Sequence, residues 1–544
     1  MPVVVGLQAF LGANTFTNPK RLAAGVGAYA LDLDPTHGDM RGIKAANVVH
    51  TLTGLASQQI SAYRMGRDAP SDTAYWLTSS TDTDYMRSLL ANDATERTYY
   101  TDGVKPRFTD NTLLGGSPPY PGSSYTLGVP APSAAMSASI TVVGTGADQD
   151  LIYTDTFLRV VNGITEESAP NSHLATITAK VGSTVTLGSF AAVPGGSHGI
   201  TKRRIYCSTD GGDFLRVAEF VTSTSTFADN GTVRTLVLET GGSESKPTWL
   251  EPPDDLRGLM SLGNSMAGGF SGKSWRVCAA GHPHAWPLEY EGITADTIVG
   301  AARWGNSVLL CTTGIPYYGT GTTPADITTI QPIQFEQACV SKRSVTGVQH
   351  GVCWASPAGL CYYGQQGMLN LTEYLIPLAD WKAMNPASVI GACWGRWYLG
   401  FYTPLSGPRA GFMIDTLNPT AVIFLSQGAY GVFMDTVSDQ LYLLDTSYRV
   451  RKWASGSALA AQFTGLNQRQ RAPTCPGAAS VVATGWPVTF RLYADGVLKH
   501  TKTVANELPF VLPAGYTAQN FQIKLEGAGP IEGAIVADGP EDLP

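Results

Sequence analysis

The feature that most constrains this chain is a spaced repeat between residues 250 and 460. Each unit is an apolar strand, a tight polar turn and a second apolar strand. The units are MAGGF-SGKS-WRVC, VLLCT-TG-IPYYG, VCWAS-PAG-LCYYG, ACW-GR-WYLGFY and VFMD-TVSD-QLYLLD. They begin at Met266, Val308, Val352, Ala392 and Val432, so the steps are 42, 44, 40 and 40 residues. A period of about 40–45 residues with several strands per unit is the mark of a β-propeller. A single unit cannot bury both faces of its sheet, so the units must stack around an axis. No unit carries a WD or kelch signature, and the expectation rests on spacing and alternation.

The rest of the chain divides around this array. At roughly 150 residues per domain, 544 residues predict three or four domains. Residues 1–128 read as an extended N-terminal platform of short strands and polar turns, ordered against the remainder of the chain or its neighbours. Two short helices are expected, near Lys44 to Thr53 and Thr372 to Asp380. Residues 115–132, rich in Pro, Gly and Ser, read as a linker. Residues 133–245 carry ASITVVG, DTFLRVVN, STVTLGSF, KRRIYCS, FLRVAEF and STFADN, separated by Gly-rich turns. Strands at that density predict a β-sandwich of the fibronectin type III or immunoglobulin kind. Residues 475–544 predict a second sandwich. Val488, Phe490 and Leu492 alternate with Thr489, Arg491 and Tyr493, and Phe521, Ile523 and Leu525 with Gln522, Lys524 and Glu526. Asp495-Gly496 is a hairpin signal, and the acidic tail DGPEDLP should fray. The fold class is therefore mainly β: a propeller with an inserted and a C-terminal β-sandwich.

Composition excludes several functions. Lys+Arg 36 against Asp+Glu 43 gives a net charge of -7, so the chain does not hold nucleic acid by neutralising phosphates. Charged residues are only 15%, with 10% aromatic residues and 60 glycines, a composition suited to surfaces covered by other subunits. No apolar run reaches the ~18 residues of a membrane-spanning helix. The N-terminus lacks a basic region and breaks at Gln8, which argues against a signal peptide. Eight cysteines (207, 278, 311, 339, 353, 361, 393 and 475) form no CxxC, sit mostly in apolar strands, and read as free thiols of a chain assembled in a reducing cytoplasm.

Several motifs invite a chemical reading, and each lacks its required context. AGGFSGKS (267–274) matches a relaxed phosphate loop, but strand-like WRVC follows where a helix is needed, so a hairpin turn is expected. GGSHG (195–199) matches a nucleophile elbow, again without the helix. His282-Pro283-His284 offers two imidazoles with only Glu289 nearby, and reads as a rigid loop packed on Trp286. Asp32, Asp34, His37 and Asp39 lack the Glu that closes a calcium loop. Residues 208–214 (STDGGDF) resemble the Asp-box turn of sialidase propellers but are one residue short. Glu289, Glu291, Asp296 and Glu336 are isolated acids, with no pairing of the kind glycoside hydrolysis needs. Lys342-Arg343 and Lys202-Arg203-Arg204 read as solvated faces or interface charges. No catalytic, cofactor-binding or metal-ligating residue and no cofactor is expected, and assembly rather than enzyme chemistry is the expected purpose.

A set of short segments, in order, carries a resemblance: LDLDPTHGDMR (31–41), YRMG (63–66), YWL (75–77), ERTYYTDG (96–103), PRFTD (106–110), LGVP (127–130), EESAP (166–170), PPDDLRGLM (252–260), HPHAWPLE (282–289), QACVSKRS (337–344) and SPAGL (356–360). Together they cover most of residues 30–375, and the chain resembles the tail nozzle proteins (tail tubular protein B) of short-tailed bacteriophages and related prophage tail proteins. The resemblance implies a non-enzymatic virion protein made in the host cytoplasm. It implies a homohexameric ring below the portal and adaptor, with tail fibres or spikes as further partners. Double-stranded DNA would pass through without sequence-specific binding, and a mildly acidic lumen would let it slide. The inserted module after Pro132 departs from the better-known members. Rival readings are a propeller that binds or depolymerises glycans, and a fibre-docking receptor-binding protein.

Overall fold

A computed structural model describes residues 3–65, 75–91, 93–234 and 246–543. Seven small antiparallel sheets stand around one axis. The first is the hairpin of Ser61–Arg64 and Trp76–Ser79. Blade 2 contains Asp84–Arg87, Thr98–Thr101, Arg107–Thr109 and Tyr125–Thr126. Blades 3 to 6 begin with Arg257–Gly263, Ile298–Trp304, Thr346–Val348 and Ile390–Trp394, each leading three further strands. Blade 7 is Gly431–Asp435, Gln440–Leu444 and Arg449–Lys452, closed on its outer side by Asn47–Thr51. The first strands of blades 2 to 7, and those of blades 7 and 1, neighbour one another in turn. Blades 1 and 2 meet through Tyr63 stacked on Tyr85 at 5.6 Å.

The repeat seen in the sequence is a mixture of two phases. In blades 3 to 5 the hairpin picked out by alternation is the second and third strand, starting at Met266, Ser307 and Gly351. In blades 6 and 7 it is the first and second, starting at Ile390 and Gly431. Counted on equivalent strands, from Arg257, Ile298, Thr346, Ile390 and Gly431, the steps are 41, 48, 44 and 41.

The propeller also reaches outside residues 250–460. Residues 47–126, expected as part of an extended platform, supply blades 1 and 2 and the closing strand. Asn47–Thr51 is a strand, not the expected helix, because Arg449–Lys452 offers an open ladder of N–H and C=O groups beside it. The second expected helix begins only at Leu378, running to Ala383. Residues 107–109 and 125–126, the latter inside the expected linker, are the outer strands of blade 2.

The inserted sandwich has two sheets. One orders Ser137–Val142, Thr184–Gly188 and Thr226–Asp229; the other runs from Ile164–Glu167 through Asp148–Val161 and Ile200–Thr209 to Leu215–Val221. Ala175–Lys180 adds to the first half of the long strand Asp148–Val161. Their facing side chains form a separate core around Tyr153, Val185, Leu187 and Ile205.

The C-terminal sandwich is not an independent unit. Its first sheet takes the N-terminal strand Val3–Leu7, which pairs with Ile531–Ala537. Its second sheet continues from Ala518–Gly527 through Ala461–Thr464 and Tyr29–Leu31 to Val422–Leu425, the outer strand of blade 6. Propeller blade and sandwich thus share one twelve-stranded sheet. The alternation expected in residues 487–493 and 521–526 is observed, within the strands Val488–Ala494 and Ala518–Gly527, with Val488, Phe490, Leu492, Phe521, Ile523 and Leu525 all buried. Asp495 and Gly496, at φ +46° and +79°, make the two-residue turn to Val497–Val504.

Candidate functional site

The sequence motifs are dispersed, and the structure gives each a local role. Gly272-Lys273 is the turn between Met266–Ser271 and Ser274–Val277, so no helix terminus faces a phosphate. GGSHG is a loop leading into Ile200–Thr209, with His198 buried and its Nδ1 2.9 Å from Thr126 Oγ1. Asp32 turns inward to accept from Ser426 Oγ and N, Asp39 pairs with Arg41, and His37 is exposed, so these do not converge. Ser208 Oγ donates to Gly212 O at 2.5 Å within a hairpin turn. Glu291 pairs with Arg276 at 3.0 Å, while Glu289 and Glu336 are exposed. The eight cysteines are free, six of them buried. Among the described residues no group of three or more His, Cys, Asp or Glu side chains could hold a metal ion, and no helix is long and apolar enough to cross a membrane.

The two basic runs differ from expectation. Lys202 stays at the surface, 42% exposed and paired with Glu219, while the other four turn inward. Arg203 is buried against Asp155 and Ala191 O, and Arg204 pairs with Glu167 at 2.6 Å. Lys342 and Arg343 reach across the propeller axis. They form a short 3-10 turn just before the first strand of blade 5. Lys342 Nζ donates to Asp84 Oδ1 at 2.7 Å and lies 3.0 Å from Asp82 Oδ1, both at the entry to blade 2. Arg343 Nη2 donates to Ile60 O at 2.6 Å and Tyr430 O at 2.7 Å, just ahead of blades 1 and 7. Asp84 also accepts from Gly258 N of blade 3 at 2.6 Å. Burial raises the Asp84 carboxyl against the pull of Lys342, and burial lowers the Arg343 guanidinium to about 10. From the entry to blade 5, this dipeptide thus bonds directly to residues at blades 1, 2 and 7, and Asp84 carries the tie on to blade 3. Nearby, the first strands of blades 7, 1, 2 and 3 line a cavity of about 580 Å³ walled by Tyr63, Tyr85, Phe433 and Met434.

A second buried charge cluster joins the inserted sandwich to the propeller. Glu166 of the sandwich accepts from Arg97 Nη1 of blade 2 at 3.0 Å and from Arg159 Nε at 2.6 Å. Arg159 Nη1 also donates to Thr126 O at 2.7 Å and His198 O at 3.0 Å. Both guanidiniums lie over the Phe108 ring, 4.3 and 4.8 Å from its centre. His284, from the blade 3 loop, brings Nδ1 to 3.9 Å from Glu166 Oε1. The side chains of Arg97, Arg159, Glu166 and His284 are at most 4% exposed. Burial pushes Glu166 up, but Arg159, His284 and Arg97 together hold it down at about 2. Burial lowers His284 to about 4; Glu166 pulls it up, and His282 and the same arginines push it down. Trp286 Nε1 donates to Pro283 O at 2.9 Å, which fixes the loop as its Pro and Trp imply. A cavity of about 320 Å³ beside it is lined by Leu90, Gly163 to Glu166 and Gly281 to His284.

This seam escaped sequence reasoning because its members lie up to 187 positions apart, between Arg97 and His284. One signal was present: Arg97, Phe108, Glu166 and His284 each lie in a different segment of the resemblance.

No family model and no curated relative matches the chain. Solved structures that the chain matches include BBS1N in complex with ARL6DN, at 10% identity, TM-score 0.30, covering 77% of this chain and 99% of that one. Others are AztD of Citrobacter koseri (10%, TM-score 0.27, 70% and 99%) and the Pan2 WD40 domain of Neurospora crassa (10%, TM-score 0.26, 52% and 86%).

Proposed function

We propose that the chain is a structural component of a short-tailed bacteriophage tail, forming a homohexameric nozzle ring below the portal and adaptor. The genome is retained by this ring and leaves through it. The chain catalyses no reaction in this role. Its location is the virion, and tail fibres or spikes dock on its outside.

The observation that carries this reading is the buried seam. Four segments of the resemblance, around Arg97, Phe108, Glu166 and His284, converge on one closed clasp between inserted sandwich and propeller. Residues that converge inside a joint serve its stiffness. The twelve-stranded sheet shared by blade 6 and the C-terminal sandwich adds to it. A wall loaded by packed DNA needs domains that do not hinge, and both joints favour that. The net charge of -7 suits a lumen along which DNA slides.

Imaging of the purified chain, alone and with its adaptor, tests the reading. Six-fold rings with an open centre are expected. A solitary molecule that turns over host surface polysaccharide would overturn it.

A further inference from the structure

Arg97 and Arg159 turn inward onto Glu166, Arg203 onto Asp155 and Arg204 onto Glu167, so each of these guanidiniums has a carboxylate. Arg343 and Arg409 are different. Burial lowers both, and neither pairs with a carboxylate among the described residues. Asp82 pulls Arg343 up from a distance, but that carboxylate already holds Lys342 at 3.0 Å.

The two cations converge on one loop. Residues 426–430 run from Val422–Leu425, the outer strand of blade 6, to Gly431–Asp435 of blade 7. Arg343 Nη2 donates to Tyr430 O at 2.7 Å. Arg409 Nη1 donates to Ala429 O, and its guanidinium carbon lies 4.2 Å from the centre of the Tyr430 ring. Both therefore sit on consecutive carbonyls, and the charge of Arg409 lowers Arg343 further. Gly428 makes the approach possible, because a Cβ there would stand 2.8 Å from Arg409 Cγ. Each guanidinium gives one terminal nitrogen to carbonyls. Nε and the other terminal nitrogen of each have no partner among the described residues, and Arg409 Nε is buried. Both side chains are part-exposed, so a small ligand can reach them.

We infer that Arg343 and Arg409 bind a phosphate dianion at the junction of blades 6 and 7, as inorganic phosphate or as the terminal phosphate of a monoester. Like charges held side by side, with forked donors left over and no acid between them, match an anion that offers several oxygens. The charge selects the kind of anion. A phosphate monoester carries about −1.5 to −2 at pH 7. A carboxylate or a phosphodiester carries a single charge and leaves one cation uncompensated. The site neither needs nor implies the six-fold ring proposed above.

Equilibrium dialysis of the full chain against labelled inorganic phosphate, in constant chloride, should show one saturable site. Arg409→Gln should weaken it at least about tenfold. Arg343→Lys keeps the charge, loses the fork and should weaken it severalfold. Arg21→Gln, at an exposed position elsewhere, should bind as the parent does. Circular dichroism checks that each variant keeps the parent's fold; if Arg409→Gln unfolds, Arg343→Lys and the parent decide. Displacement of the label by glycerol phosphate assigns the site to the terminal phosphate of a larger molecule, and its failure to displace assigns it to the free ion. Absence of saturable binding in the parent overturns the proposal. So does binding that folded Arg409→Gln leaves intact, and so does displacement by duplex DNA lacking terminal phosphates, which would place a phosphodiester at the site.

Discussion

Arg97 of blade 2 and Glu166 of the inserted sandwich are 3.0 Å apart, with side chains 0% and 2% exposed. Neither has water to fall back on, so each depends on the other. Glu166→Ala leaves two buried guanidiniums without their carboxylate, and breaking such a pair costs about 3–5 kcal/mol. Urea unfolding should show that loss, and limited proteolysis should release the inserted sandwich early.

The same seam gives a pH dependence with a defined sign. His284 is held at about 4 in the fold, against about 6.5 when unfolded. The folded state favours the neutral ring, so this contribution is intact above about 6.5 and is lost as pH falls toward about 4. The loss is on the order of 3 kcal/mol. Glu166, held at about 2, adds a second loss below the ordinary carboxylate range. His284→Gln should flatten the first phase and shrink the second, which Arg159 and Arg97 still hold, in thermal melts taken between these limits.

Lys342 crosses the propeller axis to Asp84, and the two side chains are 15% and 21% exposed. Lys342→Met leaves that half-buried carboxylate without its cation and should destabilise the propeller by about 1–2 kcal/mol. Asp84→Asn in the same chain should recover part of the loss, and a double-mutant cycle reads the coupling.

Asn47–Thr51 closes blade 7 from outside, so the ring is fastened by chain that precedes blade 1. His50 pairs with Val450, which is fully buried. His50→Pro removes a ladder donor and should lower the melting temperature by several degrees. Deleting residues 1–51 should leave an insoluble product, because the open edge then seeks strands in other molecules.

Phe463 lies where propeller and C-terminal sandwich share their core, fully buried and edge-on to Phe10 at 5.0 Å. Phe463→Ala should cost about 3–5 kcal/mol, and differential calorimetry should show both parts melting together at the lower temperature.

The alternation of apolar residues made the strands of the inserted sandwich legible: each of the six stretches named from the sequence contains a strand. Ile164–Glu167 and Ala175–Lys180 are strands that the sequence reading does not pick out, because the first is short and acidic and the second sets only two Ala and one Ile against Thr and Lys. Of the charged runs at 202–204 and 342–343, Lys202 is solvated as expected, whereas Arg203, Arg204, Lys342 and Arg343 turn inward, hidden from the sequence reading for a related reason. A row of Lys and Arg signals solvent unless its partners are known, and Asp155, Glu167 and Asp84 lie far away in sequence.

Local pattern alone determined that this chain is β-rich, that a roughly forty-residue unit repeats within it, and that the C-terminal strands alternate buried and wet faces, because each of these depends on neighbours within a few residues. Only the tertiary structure decided that the propeller begins before residue 60, that blade 6 and the C-terminal sandwich are one sheet, and that Arg97, Arg159, Glu166 and His284 form a clasp. Strand pairing and burial of charge are set by whichever distant partner satisfies the exposed backbone or the ion, and periodicity carries no record of that partner.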